Sequence, residues 1–193
     1  MAINPEPKMT PEEYLAFERA QLDAKHEFLD GEIIAMAGAS RQHVRIVANL
    51  AASLITQLRG RPCDVYLSDM RVKIPAAGLY TYPDVIALCH EPRFEDDAVD
   101  TLLNPSVIIE VLSPSTESYD RGIKFTHYRS IEDLQLYILV AQDKPQIEIF
   151  RRQANGDWLL SVVEGLEARV SLDAIGCELA LADVYERVIE AKT

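Results

Sequence analysis

Three residues, Asp84, Glu110 and Lys124, are of types that together could carry hydrolytic chemistry on a divalent metal. Glu110 lies within Ser-Val-Ile-Ile-Glu-Val-Leu, an apolar run that predicts a buried strand. A carboxylate there is costly unless it is paired or holds a metal. It stands near the C-terminal end of its strand, where open α/β sheets usually present their sites. A buried ion pair with an Arg or Lys would explain Glu110 equally well.

Asp84 and Lys124 each have an ordinary explanation when taken alone. Asp84 opens an apolar strand in Tyr-Pro-Asp-Val, where a turn aspartate is common. Lys124 lies on a predicted helix with Asp120 and Tyr128, and the spacing of four residues puts all three on one face. A surface Asp–Lys pair would account for that spacing. However, only a short Ser-Pro-Ser-Thr turn separates the helix from the Glu110 strand, which brings this face near the strand's end.

Together the three residues predict phosphodiester hydrolysis, with Asp84, Glu110 and Lys124 catalytic and the two acids binding Mg²⁺, or Mn²⁺ as a substitute. Hard cations prefer carboxylate oxygens, and such a metal polarises a phosphoryl oxygen. A nearby ammonium can stabilise charge on the phosphate. Accessory candidates are Asp120, Tyr128 and His43, the last in the first turn of a helix, where a polar residue is also common for structural reasons.

The predicted elements alternate between helices and strands. Thr10-Pro11 begins a helix, Asp30-Gly31 between apolar runs predicts a hairpin, and Ser40 caps a second helix. The predicted helices are 10–21, 40–58, 119–129 and 181–188. The predicted strands are 26–29, 32–36, 63–67, 70–74, 83–88, 106–112, 134–140, 146–151, 158–163 and 167–170. This order predicts an α/β (α+β) fold with a mixed central sheet flanked by helices. We expect a flexible tail at 1–9 and a single domain at 10–190.

The charge of the chain limits the partners it can bind. The 193 residues are 48% hydrophobic and carry a net charge of −12, which argues against broad, non-specific binding of nucleic acid. The charge is uneven, since residues 41–73 carry +4 and residues 84–120 carry −8. A local basic surface near the second helix could therefore still contact phosphates, and a bound cation would neutralise part of the acidic segment.

The cysteines and the terminal sequence predict a cytoplasmic protein. Cys63, Cys89 and Cys177 are far apart and form no CxxC pair, so we expect reduced thiols rather than a zinc site or a disulfide. The segment Met1–Glu18 lacks the apolar region of a signal peptide. No apolar run is long enough to span a membrane.

Several motifs follow one another in an order that is similar to one protein family. They are His-Glu-Phe-Leu-Asp-Gly-Glu (26–32), His43 at a helix start, Tyr-Pro-Asp-Val (82–85), Glu-Val-Leu-Ser-Pro-Ser-Thr (110–116), and then Asp120, Lys124 and Tyr128. From about Thr10 to Tyr185 the chain resembles the Uma2 family of the PD-(D/E)XK nuclease superfamily. The resemblance implies a restriction-endonuclease-like fold, Mg²⁺ as the metal and DNA as the partner.

The resemblance also implies roles for individual residues. Asp84 would match the first acid of the superfamily motif, and Glu110 would match the second. The position two residues after Glu110 is Leu112 rather than lysine, so Lys124 would be the family's displaced lysine. Residues 136–139 read Leu-Tyr-Ile-Leu and lack the family's frequent Trp.

Three functional hypotheses stand at this point. The first is a Mg²⁺-dependent DNA endonuclease, and the second is a non-catalytic interaction protein that keeps the fold. The third is a metal phosphoesterase acting on RNA or small molecules. A homodimer is expected if both strands of a duplex are cut, because that needs two sites. Glu27 and Glu32, which flank the hairpin turn, receive no role.

Overall fold

The computed structural model describes residues 8–36 and 38–189. Most of the predicted tail, residues 1–7, lies outside the described residues. The helices are α1 (Pro11–Ala20), α2 (Arg41–Leu58), α3 (Glu117–Tyr119), α4 (Phe125–Tyr128) and α5 (Leu181–Val184). The strands are β1 (His26–Leu29), β2 (Glu32–Ala35), β3 (Asp64–Leu67), β4 (Arg71–Ile74), β5 (Leu79–Thr81), β6 (Val85–Leu88), β7 (Thr101–Leu102), β8 (Val107–Val111), β9 (Leu136–Val140), β10 (Gln146–Arg152), β11 (Trp158–Glu164), β12 (Arg169–Leu172) and β13 (Cys177–Ala180).

The two long helices begin where their capping residues predict. The Thr10 side chain accepts a hydrogen bond from the Glu13 N–H, and the Glu13 carboxylate accepts one from the Thr10 N–H, which forms a capping box. Ser40 caps α2 by accepting from the His43 N–H at 3.1 Å. These bonds satisfy backbone donors that the first helical turn leaves without partners.

The strands form a mixed α+β fold with two larger sheets rather than the single central sheet that the sequence predicted. The six-stranded sheet has the order β11-β10-β9-β8-β6-β3, and only its β8–β9 pair is parallel. The five-stranded sheet has the order β2-β1-β5-β4-β7. The second sheet could not be recognised in the sequence, because its strands β5 and β7 are only three and two residues long, too short to show an alternating pattern. The unpredicted β13 pairs with β12.

Apolar layers cover both faces of the six-stranded sheet. On one face α2 packs through Ile46, Leu50 and Leu54. On the other face, residues of the five-stranded sheet and α4 pack against alternate side chains of β6, β8 and β9. The near-continuous apolar runs of β8 and β9 follow from this arrangement, because both faces are buried.

The helix predicted at 119–129 is interrupted. Between α3 and α4, residues Asp120–Lys124 form a turn of π-helix, which is wider than an α-helical turn. Such turns occur mostly as single insertions within α-helices and are frequent at functional sites.

The prediction of three reduced thiols is wrong. Cys63 and Cys89 form a disulfide, and only Cys177 is a free, buried thiol. The pair is 26 residues apart in sequence, but antiparallel pairing of Asp64 with Leu88 places the two flanking cysteines side by side. Spacing alone could not reveal this contact. Within the described residues, no helix is both long and apolar enough to cross a membrane.

Candidate metal site

Asp84 and Glu110 meet because β6 and β8 pair antiparallel. Val85 is paired with Ile109, so Asp84, one residue earlier, comes next to Glu110, one residue later. The Asp84 N–H donates to Glu110 Oε2 at 3.4 Å. The Val111 N–H donates to Asp84 Oδ2 at 2.7 Å. The structure therefore brings the two predicted acids together.

Lys124 lies beside Glu110, and its ammonium is within ion-pair distance of three carboxylates. Its Nζ is 3.0 Å from Glu27 Oε1, 3.1 Å from Glu110 Oε1 and 3.3 Å from Asp120 Oδ1. All four side chains are at least nine-tenths buried. The acids come from β1, β8 and the π-helical turn, so three separate elements converge on one ammonium.

Two tyrosines complete the wall of the cluster. The Tyr128 hydroxyl donates to Glu110 Oε1 at 3.1 Å and lies 2.8 Å from Thr81 Oγ1. The Tyr137 hydroxyl donates to the Asp120 carbonyl at 2.9 Å, which fixes the start of the π-helical turn. Because Lys124 and Tyr128 both engage Oε1 of Glu110, Oε2 keeps only the long bond from the backbone.

His43 lies at the more open margin of the site. Its Nε2 is 2.9 Å from Asp84 Oδ1, and the two side chains are 16% and 15% exposed. Burial lowers the pKa of His43, but the hydrogen bond and charge of Asp84 outweigh it and leave the pKa raised. His43, which was predicted as an accessory residue, therefore contacts the predicted metal ligand Asp84 from the first turn of α2.

The electrostatics of the cluster are dominated by burial and by an excess of acids. Burial raises the pKa of Glu110 well above its usual range; Lys124 opposes this shift, and Asp120, Asp84 and Glu27 add to it. Burial alone would lower the pKa of Lys124, but the surrounding carboxylates raise it well above its usual value. Lys124 is therefore charged at neutral pH.

The acidic side chains of the cluster are of the type that hard divalent cations prefer as ligands. Three carboxylates, those of Glu27, Glu110 and Asp120, face the single buried ammonium of Lys124, and the Asp84 carboxylate lies beside Glu110, so acidic groups outnumber the lysine. Asp120 Oδ1 is buried, and its ion pair with Lys124 at 3.3 Å is not accompanied by a hydrogen bond among the described residues. Carboxylate oxygens are the ligands that Mg²⁺ prefers, and a bound cation would offset the cost of burying these charges.

As they stand, these side chains do not form a finished metal cage. In residues 8–36 and 38–189, no group of three His, Cys, Asp or Glu side chains is placed to hold a metal ion. The carboxylates of Glu27, Glu110 and Asp120 are turned towards Lys124 instead.

Glu27 is the site residue that sequence reasoning missed. It lies in β1 and is 5% exposed, and besides Lys124 it contacts the Tyr82 N–H at 3.3 Å. The same signal that revealed Glu110, an acid within an apolar strand, was present at Glu27. Because Glu27 lies close to the hairpin turn, an exposed side chain was the simpler expectation. Glu32, on the other side of that turn, is exposed.

Comparisons with known proteins identify the family to which the fold belongs. The family model Uma2, described as "Putative restriction endonuclease", matches residues 11–182. The chain therefore belongs to the Uma2 family.

Similar proteins of comparable length occur in Synechocystis sp. (strain ATCC 27184 / PCC 6803 / Kazusa). The one described as "Uncharacterized protein slr1290" is 38% identical over 181 residues, which are 94% of this chain and 93% of that protein. A second, "Uncharacterized protein sll1609", is 39% identical over 162 residues, 84% of this chain and 91% of that protein.

The fold is also similar to a solved structure, described as a "putative nuclease belonging to DUF820" from Anabaena variabilis ATCC 29413. The TM-score is 0.77 with 20% sequence identity, and the match covers 94% of this chain and 99% of that one. The similarity extends over nearly all of both chains, which confirms the predicted fold class.

Proposed function

We propose that the protein is a Mg²⁺-dependent endonuclease that hydrolyses phosphodiester bonds in DNA. The observation that carries the proposal is the meeting of Asp84 and Glu110, with the Lys124 ammonium 3.1 Å from Glu110. Support for DNA comes from the description of the family as a restriction endonuclease, and the description of the solved neighbour supports a nuclease. A single domain at 10–190 is a further proposal, and so is a cytoplasmic location, for which the Cys63–Cys89 disulfide removes the argument from reduced thiols.

Asp84 and Glu110 are the residues that would hold the metal. Oε2 of Glu110 has spare hydrogen-bonding capacity, and Asp84 Oδ1 is shared with His43 at the open margin of the site. When bound there, Mg²⁺ would supply Lewis-acid stabilisation of the charge that develops on the phosphoryl group. Burial makes such stabilisation stronger than it would be in water.

Lys124 supplies a fixed positive charge beside the metal ligands. Glu27 and Asp120 hold the ammonium from two sides, so its position does not depend on Glu110 alone. In this role it would stabilise negative charge on the scissile phosphate or orient the attacking water. In this chain the lysine lies on the helical segment, whereas its usual position in the superfamily is two residues after the second acid.

The test is a cleavage assay on plasmid DNA with Mg²⁺ or Mn²⁺. We expect nicking or cleavage that requires the metal and falls by at least about 10²-fold in Glu110→Gln and Asp84→Asn, because both remove a ligand charge. The control is Glu167→Gln, an exposed acid between β11 and β12. Wild-type activity in both site variants would refute the assignment.

Parallel arms separate the competing functions. RNA and small phosphodiesters are offered as substrates under the same conditions, and preferential cleavage of either would replace DNA in the proposal. A chain that cleaves none of them, and whose melting temperature does not respond to Mn²⁺, would be a non-catalytic protein that keeps the fold.

A further inference from the structure

β11 is the outer strand of the six-stranded sheet within the described residues, and apart from Glu164 at its end its exposed side chains are apolar. Leu159, Leu160 and Val162 are 54%, 47% and 51% exposed. Successive strand residues point to opposite faces, so both sides of this edge are apolar. Natural proteins avoid leaving long apolar edges unpaired, because such edges pair with other chains. We propose that β11 pairs antiparallel with β11 of a second copy of this chain.

The strand is self-complementary in one register. A two-fold axis at Ser161 places Leu159 opposite Val163 of the second copy and Leu160 opposite its Val162. Every pair between these positions is apolar or, at the centre, serine with serine. Directly opposite side chains in antiparallel strands are in contact, so this register buries the exposed leucines and valines.

Charge complementarity at the two ends supports the same register. Trp158 is paired with Arg152 on β10, and the Arg152 guanidinium stacks over the Trp158 ring at 4.8 Å. In the proposed pairing, Glu164 of the second copy comes opposite Trp158, on the face that carries Arg152. The opposite charges of Glu164 and Arg152 then share one face of the sheet, two strand spacings or roughly 10 Å apart, and the two-fold axis creates this arrangement twice.

The rest of the surface makes this edge the favoured one for self-association. A net charge of −12 makes most surfaces of two copies repel each other. Glu164 is the one charged residue among the seven of β11. The outer strand at the other end of the sheet, β3, has four residues and begins with Asp64. The pairing does not rest on the proposed function, since it concerns the sheet edge and not the metal site.

The first test is the mass of the full chain by sedimentation velocity over a range of concentrations. We expect the mass of two chains, and we expect Leu160→Lys to raise the dimer dissociation constant at least about tenfold, because two lysines then face apolar partners. The matched control is Ile55→Lys, a 48% exposed apolar residue on α2. A monomer at all concentrations, or equal association of the two variants, would overturn the proposal.

Cross-linking tests the register. In the proposed pairing Ser161 faces its own copy, so Ser161→Cys should form a disulfide-linked dimer under oxidising conditions. Leu159→Cys should not, because its copies would lie about 13 Å apart along the strands, beyond disulfide reach. Equal cross-linking of both variants, or none in Ser161→Cys, would overturn the register.

Discussion

Lys124 is the residue on which the site depends, because three buried carboxylates turn towards its ammonium. Removing one partner from a buried ionic group leaves uncompensated charge, which costs far more than the loss of a surface pair. The same carboxylates are the candidates for metal binding. In the proposed function, Lys124 would compete with the metal for these oxygens and would also supply the positive charge beside the substrate.

Lys124→Met should separate these two roles. Without metal, we expect the free energy of unfolding to fall by about 3–5 kcal/mol, because Glu27, Glu110 and Asp120 lose their counter-charge. We also expect Mn²⁺ to raise the melting temperature more than in the wild type, while DNA cleavage is lost. Urea unfolding and thermal melting with and without Mn²⁺ give the comparison.

The control for this prediction is Lys144→Met, which removes an exposed lysine elsewhere on the chain. It should leave both stability and metal response unchanged. A Lys124→Met protein as stable as the wild type without metal, or less responsive to Mn²⁺, would contradict the account.

The sequence could predict most of the site at the residue scale. Asp84 and Glu110 were visible as acids in apolar strands, and the spacing of Asp120, Lys124 and Tyr128 placed them on one helix face. Glu27 was missed because its burial depends on the distant helix that carries Lys124, across about a hundred residues of sequence. Such a contact leaves no local pattern in a single sequence.

At the scale of elements, the π-helical turn decides where Lys124 points. A π-turn carries one residue more than an α-turn, so it changes the phase between the residues before and after it. Asp120 is fixed by the Tyr137 hydroxyl and Tyr128 is buried under Thr81. The wider turn lets both ends keep these contacts while Lys124 faces Glu110.

Deleting Gly122 should restore the α-helical phase and misplace Lys124 or Asp120. We expect cleavage to fall by at least about 10²-fold, as misplacements near 1 Å can cost that much, with little change in the far-ultraviolet circular dichroism. Gly122→Ala is the control, because an added Cβ would meet no atom within 4 Å. It should keep activity and gain roughly 0.5–1 kcal/mol of stability. Full activity in the deletion variant would contradict this role of the turn.

The elements that the sequence predicted are those with long patterns or clear caps. The hairpin at Asp30-Gly31 and both long helices were found in this way. β5, β7 and β13 were not, because each is four residues or fewer and is defined by its partners rather than by its own sequence. The disulfide between Cys63 and Cys89 was missed because it depends on the pairing of β3 with β6, which no local sequence pattern shows.

The ion pair between Arg19 of α1 and Asp100, in the loop between β6 and β7, gives a pH-dependent test at the element scale. Arg19 and Arg71 hold the pKa of Asp100 well below its usual range, against the opposing effect of burial. A depressed pKa adds stability above the unfolded-state pKa, near 3.9, and this stability is lost as the pH falls below that value.

We therefore expect the wild type to lose stability between about pH 5 and pH 2 more steeply than Asp100→Asn, which lacks the contribution throughout. Chemical unfolding at several pH values measures the slope. The control is Asp97→Asn, an exposed acid of the same loop. Equal slopes for wild type and Asp100→Asn would refute this assignment.

For the molecule as a whole, the surface charge is less favourable for DNA than the sequence suggested. Of the six basic residues in 41–73, Arg61 donates to backbone carbonyls, and Arg71 and Lys73 pair with acids. Arg41 and Arg45 on α2, and Arg59 directly after its last residue, are exposed. Three exposed arginines against a net charge of −12 indicate weak binding that depends strongly on salt.

The most direct test of the account is a calorimetric titration of the metal-free protein with Mn²⁺ and Mg²⁺. We predict one bound divalent ion per chain, lost in both Glu110→Gln and Asp84→Asn and retained in Glu167→Gln. Glutamine and asparagine keep the size of the side chains, so the loss would report the missing charge. A wild type that binds no ion, or site variants that bind as the wild type does, would contradict the claim that Asp84 and Glu110 form a metal site.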